Sequence, residues 1–192
     1  MRLFQAIPRL ETERFLLRGM ESDDAPAVLA NLSDPDVTRD MGVQAFASIE
    51  EAEGLIRFMN DLFAKGIAFR WGIVRKEDNQ LVGTCGYNGW ETNRGSRVEI
   101  AYDLGKPYWR KGYMTEIMEA LLAYSFEEAA FYRVEAFTNP DAVPSMKLLE
   151  SVGFQKDGVL RGYASAGDGY IDQCCFSLLR GDWLAQRKGE AE

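Results

Sequence analysis

The chain has 192 residues, with 22 Lys and Arg against 30 Asp and Glu and a formal net charge of -8, a balance that disfavours nucleic acid and suits a cationic partner such as an amine. Hydrophobic residues at 46% and aromatics at 12% exclude disorder, and a chain this long buries roughly 70% of its unfolded surface. The absence of histidine excludes a Ser-His-Asp or Cys-His mechanism, so any general base is a carboxylate, a tyrosine, a lysine or a water chain.

In chain order, Arg14 to Arg18 reads as a first strand. Ser22, followed by Asp23 and Asp24, predicts a helix start with acids set against the helix dipole, the helix running to about Asn31. Asp34-Pro35 begins a short turn. Ser48 and Glu51 form a capping box, after which Ile49, Ala52, Ile56, Met59 and Phe63 repeat at helical spacing up to a cap at Gly66. Phe69 to Lys76 and Leu81 to Trp90 read as an antiparallel hairpin joined by a polar turn.

The most informative stretch runs from Arg97 to Tyr124. Arg97, Glu99 and Ala101 alternate with Val98, Ile100 and Tyr102, which is strand spacing, and Gly105-Lys106-Pro107 ends it. From Tyr113 the spacing is helical, with Met114, Ile117, Met118, Leu121 and Leu122 on one face. The joint between them carries three cations (Lys106, Arg110, Lys111) and no acid, against the sign of the whole chain. Gly105 and Gly112 let a ligand approach the backbone, and a helix that begins just after a glycine presents free N–H groups. Together they make an anion site suited to phosphate. An ordinary strand-to-helix turn with a solvated basic rim is the plain alternative.

Tyr132 to Thr138 is a further strand, Asn139-Pro140-Asp141 a turn, and Pro144 to Val152 a short helix capped by Gly153. Phe154 to Ala164 and Tyr170 to Leu179 form a closing hairpin, and Asp182-Trp183 opens a short tail. This mixed order predicts a single α+β domain over residues 1–192, built around one sheet. Cys85, Cys174 and Cys175 read as buried reduced thiols, and no zinc ligand set is present. No apolar run is long enough to cross a bilayer and no leader is recognised, so a soluble cytoplasmic protein is expected.

Four segments carry a family likeness: RLETERFLLR, VEIAYDLGKPYWRKGYMTEIM, PDAVPSMKLLESVGF and GVLRGYASAGDGYIDQCCFSLLRGDW. In this order the chain resembles the GNAT acyl-CoA N-acyltransferases, and within them the RimJ/RimL-like ribosomal-protein alanine N-acetyltransferases, over about residues 7–183. The resemblance implies a mixed, mostly antiparallel sheet flanked by helices and splayed between its fourth and fifth strands, those at Glu99 and Val134. Acetyl-CoA would lie in that opening, with its pyrophosphate on the loop from Arg110 to Thr115. The cofactor contacts implied are Tyr102, Asp103, Leu104, Trp109, Arg110, Lys111, Gly112, Tyr113, Met114, Thr115, Ala142 and Ser145. Trp109 and Met114 depart from the usual loop pattern. Ala142 stands where the family often has asparagine, and Leu149 where it often has a tyrosine proton donor.

The expected reaction moves an acetyl group to a primary amine, a peptide or protein N-terminus or a small amine. The family places a catalytic glutamate at Glu99, acting as base through a water; a surface glutamate paired to Arg97 or another cation is the alternative. Backbone N–H groups around Tyr102 to Leu104 are expected to hold the thioester oxygen. Ser145 is expected to donate to the leaving thiolate, or else to cap its helix, with Tyr102, Tyr108 and Tyr113 as other donors. Asp23, Asp24, Asp36 and Asp172 are candidates for an amine site, and Phe69, Trp71 and Trp90 for an acceptor wall. A non-catalytic acyl-CoA-binding module of the same fold is the first rival and a nucleotide-phosphate transferase a remote second. No metal, nucleic acid or membrane is implied, and a homodimer stays open.

Overall fold

A computed structural model describes residues 3–189. Among these residues eight strands form one sheet: β1 (Leu10–Glu11), β2 (Phe15–Gly19), β3 (Phe69–Arg75), β4 (Gln80–Glu91), β5 (Arg97–Leu104), β6 (Arg133–Thr138), β7 (Gln155–Ala166) and β8 (Gly169–Leu179). Their spatial order is β1-β2-β3-β4-β5-β6-β8-β7. Every pairing is antiparallel except β5 with β6, which is parallel. The two-residue β1, not visible in the sequence, makes the strands at Glu99 and Val134 the fifth and sixth.

The parallel pairing is short. It runs only from Arg97–Arg133 through Val98–Val134 to Glu99–Glu135. Beyond it β5 continues to Leu104, held by β4, and β6 continues to Thr138, held by β8. Each arm is braced on its outer side and bare on its inner side. The result is a wedge-shaped opening whose apex is Glu99.

Among the described residues six α-helices flank the sheet: α1 (Ala25–Leu32), α2 (Pro35–Thr38), α3 (Ile49–Lys65), α4 (Tyr113–Ala123), α5 (Val143–Ser151) and α6 (Arg180–Gly189). The main core holds Val98, Ile100 and Val134 from the sheet together with Ile117, Met118 and Leu121 of α4 and Leu149 of α5. A smaller core joins α1 and α3 through Val28, Leu32, Ala52 and Ile56. Alternation along β5 therefore turns Arg97, Glu99, Ala101 and Asp103 to the face opposite α4.

The capping box at the start of α3 is present as expected, with Glu51 taking the Ser48 amide, and Gly66 closes α3 at φ 70°. The first helical turn starts earlier than Ser22 predicts. Glu21 is its N-cap, boxed with Asp24, and Ser22–Asp24 form a 3₁₀ turn before α1. The final hairpin turns on two residues, Gly167 and Asp168, because the ladder extends to Ala166–Gly169.

The tail after β8 is a helix rather than an open end. Trp183 of α6 is buried against Phe126, ring centres 5.3 Å apart. Phe126 lies in a π-helical turn (residues 124–128) that continues α4. Trp183→Ala is expected to cost about 3–5 kcal/mol of stability, read as a lower urea midpoint.

Candidate active site

Glu99 sits at the apex of the opening, half-buried, and Oε1 accepts a 2.8 Å hydrogen bond from Asn88 Nδ2. Asn88 is the extra residue of a β4 bulge, where the register jumps between Tyr87 and Gly89. A bulge re-aims a side chain, and here it directs an amide onto the carboxylate. The neighbouring Arg97 pairs with Glu135 instead, at 3.7 Å, and Glu135 is also held by Arg133 at 2.6 Å. Glu99 therefore makes no ion pair with a cation among the described residues. The alternative of a surface glutamate paired to Arg97 is not what the fold contains.

At the wide end lies the loop into α4. Gly112 is the N-cap at φ 71°, with no side chain capping the helix, and Arg110 also has positive φ, 59°. The first helical hydrogen bond runs from the Glu116 amide to the Gly112 carbonyl. The amides of Gly112, Tyr113, Met114 and Thr115 thus have no partner in the helix and lie at its positive end. Of the three cations, Lys106 is not free for phosphate: Asp36 at 2.5 Å and Asp34 at 3.5 Å hold it. Arg110 and Lys111 carry no ion pair among the described residues.

The loop is fixed from behind by a residue that the sequence reading passed over. Arg14 bonds Glu116 through its backbone N–H (2.8 Å) and through Nε (2.5 Å). Its guanidinium also reaches the carbonyls of Lys111 (3.3 Å) and Gly112 (3.5 Å) and covers the Tyr113 ring at 4.7 Å. Holding those carbonyls on one side leaves the helix-start N–H groups for the other. Tyr113 accordingly faces β2, edge-on to Phe15, rather than the opening. Trp109 folds back and gives its indole N–H to the Leu104 carbonyl at 2.6 Å. Met114 packs inward against the main core, so its bulk does not fill the loop. Arg14→Ala is expected to weaken coenzyme A binding about threefold, since the exposed pair stores less than 1 kcal/mol; calorimetric titration measures it.

Between apex and loop, the Gly105 amide bonds the Val82 carbonyl of β4. Amide direction alternates along a strand, so the Asp103 amide also faces β4 while those of Tyr102 and Leu104 face the opening. Asp103 is thereby removed from the expected cofactor contacts. Its carboxylate is buried, bonded to the Thr84 hydroxyl and to Arg70 at 3.2 Å, with burial pushing its pKa up. On the other face Tyr102 Oη lies 2.8 Å from Ser145 Oγ. Ser145 is not a cap, because the N-cap of α5 is Ala142, which is buried and apolar. Burial pushes the Tyr102 phenol up to about 12, so it stays protonated near neutrality. Leu149 is fully buried in the core.

The proposed acceptor-lining residues are largely committed elsewhere. Asp24 is buried in a two-pronged pair with Arg18, Asp36 holds Lys106, and Asp172 accepts the Gly162 amide across the last hairpin. Phe69 and Trp71 are fully buried, and Trp90 packs against Phe4. Asp23 alone of that set is exposed and makes no pair among the described residues.

Residues 14–155 match the family model of the acetyltransferase (GNAT) domain. The chain belongs to the GNAT acetyltransferase family. It is 41% identical over 174 residues to an uncharacterized N-acetyltransferase, p20, of Bacillus licheniformis, covering 91% of this chain and 97% of that one. A ribosomal-protein alanine N-acetyltransferase of Escherichia coli is 23% identical over 67% of this chain and 66% of its own. The fold is shared with RimL, a ribosomal alpha-N-protein acetyltransferase solved with coenzyme A, at TM-score 0.79 and 17% identity, covering 90% of this chain and 98% of that one. This GNAT chain is an acetyl-CoA-dependent N-acetyltransferase, and the RimJ/RimL-like branch is among its relatives. The uncapped α4 start beside Arg110 and Lys111 fits the diphosphate of that cosubstrate. No helix among the described residues is long and apolar enough to cross a membrane.

Proposed function

We propose that acetyl-CoA lies in the β5–β6 opening and that an amine attacks its thioester directly at Glu99. The observation that carries this is the alignment of three features along one wedge: an ion-pair-free carboxylate at the apex, free strand amides on one arm, and an uncapped helix start at the mouth. The diphosphate rests on the amides from Gly112 to Thr115, with Arg110 and Lys111 adding charge and Trp109 bracing the turn. The amides of Tyr102 and Leu104 bind the extended arm, and that of Tyr102 takes the thioester oxygen as charge gathers on it.

The amine must be neutral to attack. An α-amine has pKa near 8 and a lysine near 10.4, so an N-terminal α-amine needs the weaker base. Glu99, oriented by Asn88, draws that proton through a water. The nitrogen forms its bond to the acetyl carbon, the C–S bond breaks, and the coenzyme leaves as thiolate. Ser145 donates a hydrogen bond to that sulfur, backed by the neutral Tyr102 phenol, which does duty for the tyrosine lost at Leu149. Ala142 gives van der Waals contact only. The chain acts as one acetyltransferase domain.

A turnover screen tests the reading. Free thiol released from acetyl-CoA is followed with peptides carrying N-terminal alanine or serine, free amino acids, polyamines and aminoglycosides. Acceptor-dependent release with the peptides is the expected result. Coenzyme A binding with no release from any acceptor would leave a ligand-holding module instead.

A further inference from the structure

The core under α4 lies on one face of the sheet, and Glu99 and Ala101 turn to the other. Phe69, Trp71 and Trp90 belong to the core side and cannot line the approach to Glu99. A different aromatic pair does. Glu99 pairs with Glu135, and two residues further along β6 Phe137 turns to the same face, level with Ala101. Tyr163 of β7 is stacked on Phe137, with ring centres 5.1 Å apart and planes 24° apart.

Tyr163 reaches this place because β7 is bulged. Leu160 pairs with Gln173 and Ala164 with Ile171, so Arg161, Gly162 and Tyr163 stand opposite Asp172 alone. Gly162 takes a positive φ of 58° and gives its amide to Asp172 Oδ1 at 2.8 Å, which pins the bulge. A second bulge thus re-aims a side chain, as the one at Asn88 does. Burial raises the pKa of the Tyr163 phenol, and the negative charges of Glu99 and Glu135 raise it further, so its hydroxyl end stands beside the apex. One side of the ring rests on Phe137, yet the residue is 52% exposed.

We propose that Tyr163 is an acceptor-binding residue, its ring forming the wall against which the amine end of the acceptor lies opposite Glu99. The inference rests on that amine reacting at Glu99. Near neutrality an α-amine of pKa near 8 arrives mainly as the ammonium ion. A cation is drawn to the negative face of an aromatic ring, and Tyr163 offers such a ring beside the carboxylate that takes the proton. The wall acts in holding the acceptor, not in the chemical step and not in coenzyme A binding.

Tyr163→Ala is expected to raise the Kd of a peptide beginning with alanine about tenfold, by calorimetry on the coenzyme A-bound protein. The peptide KM rises by a similar factor, while kcat stays within about twofold. Coenzyme A affinity stays at the wild-type value, which also shows that the fold is intact. Tyr163→Phe keeps the ring and the peptide affinity. Unchanged peptide affinity in Tyr163→Ala would overturn the proposal. So would an equal loss in Tyr163→Phe, or a parallel loss of coenzyme A affinity. If wild type binds coenzyme A but neither binds nor acetylates any amine, the reading of Glu99 has failed, and the wall with it.

Discussion

Glu99→Gln is expected to lower kcat/KM for a peptide acceptor at least 100-fold while coenzyme A affinity stays within about twofold of wild type. A positioned general base contributes about 10²–10⁴ in rate. Glutamine has the same shape and can still accept from Asn88, so the apex keeps its geometry. What disappears is the ability to take a proton. In the variant only molecules whose amine is already neutral react, so the rate climbs with pH through the α-amine pKa near 8 and the deficit shrinks at alkaline pH. The pH profile of kcat/KM checks this. Equal rates and equal profiles would remove Glu99 from the chemistry. Glu135→Gln is the matched control, because that carboxylate is already held by Arg97 and Arg133.

The features legible in the sequence are those decided by neighbours a few residues apart. The capping box at Ser48 and Glu51, the hairpin of β3 and β4, and the change from alternating to helical spacing at Tyr113 each need only local geometry. The uncapped start of α4 at Gly112 was legible for the same reason, since strand, glycine and helix start are contiguous. The opening itself came from the family likeness and not from periodicity. Its width depends on where the pairing of 97–99 with 133–135 stops, and nothing within either strand states that end point.

Charges and rings were read least well, because their partners are distant in the chain. Lys106 looks like a phosphate cation until α2 brings Asp34 and Asp36 against it, some 70 residues away in sequence. Arg14 looks like an ordinary strand residue until the sheet carries it to a loop 97 residues on. Phe69 and Trp71 have the composition of an acceptor wall, yet both lie on the face that α4 covers. The bulge at Asn88 had a faint signal, a glycine directly after it inside an otherwise continuous strand.

Gly112→Asp is expected to weaken coenzyme A binding about 100-fold, a loss of about 2.7 kcal/mol. Two effects act together. The position sits at φ 71°, where a side chain costs about 1–2 kcal/mol, although aspartate tolerates this region better than most residues. The new carboxylate also stands at the α4 start, where it competes for the same amides and repels the incoming diphosphate. The fold has room for the change: an added Cβ would meet nothing nearer than Arg14 Nη2 at 3.9 Å. Gly112→Ala carries the backbone cost without the charge and separates the two contributions. A short thioester, S-acetyl-N-acetylcysteamine, has no diphosphate, so its turnover should be nearly unchanged in the aspartate variant. Loss of turnover with both donors would mean that the loop shapes the apex as well as the mouth. Equal affinity of wild type and Gly112→Asp for coenzyme A would place the diphosphate elsewhere. The uncapped helix start and the Arg14 clamp behind it would then be without a ligand to explain them.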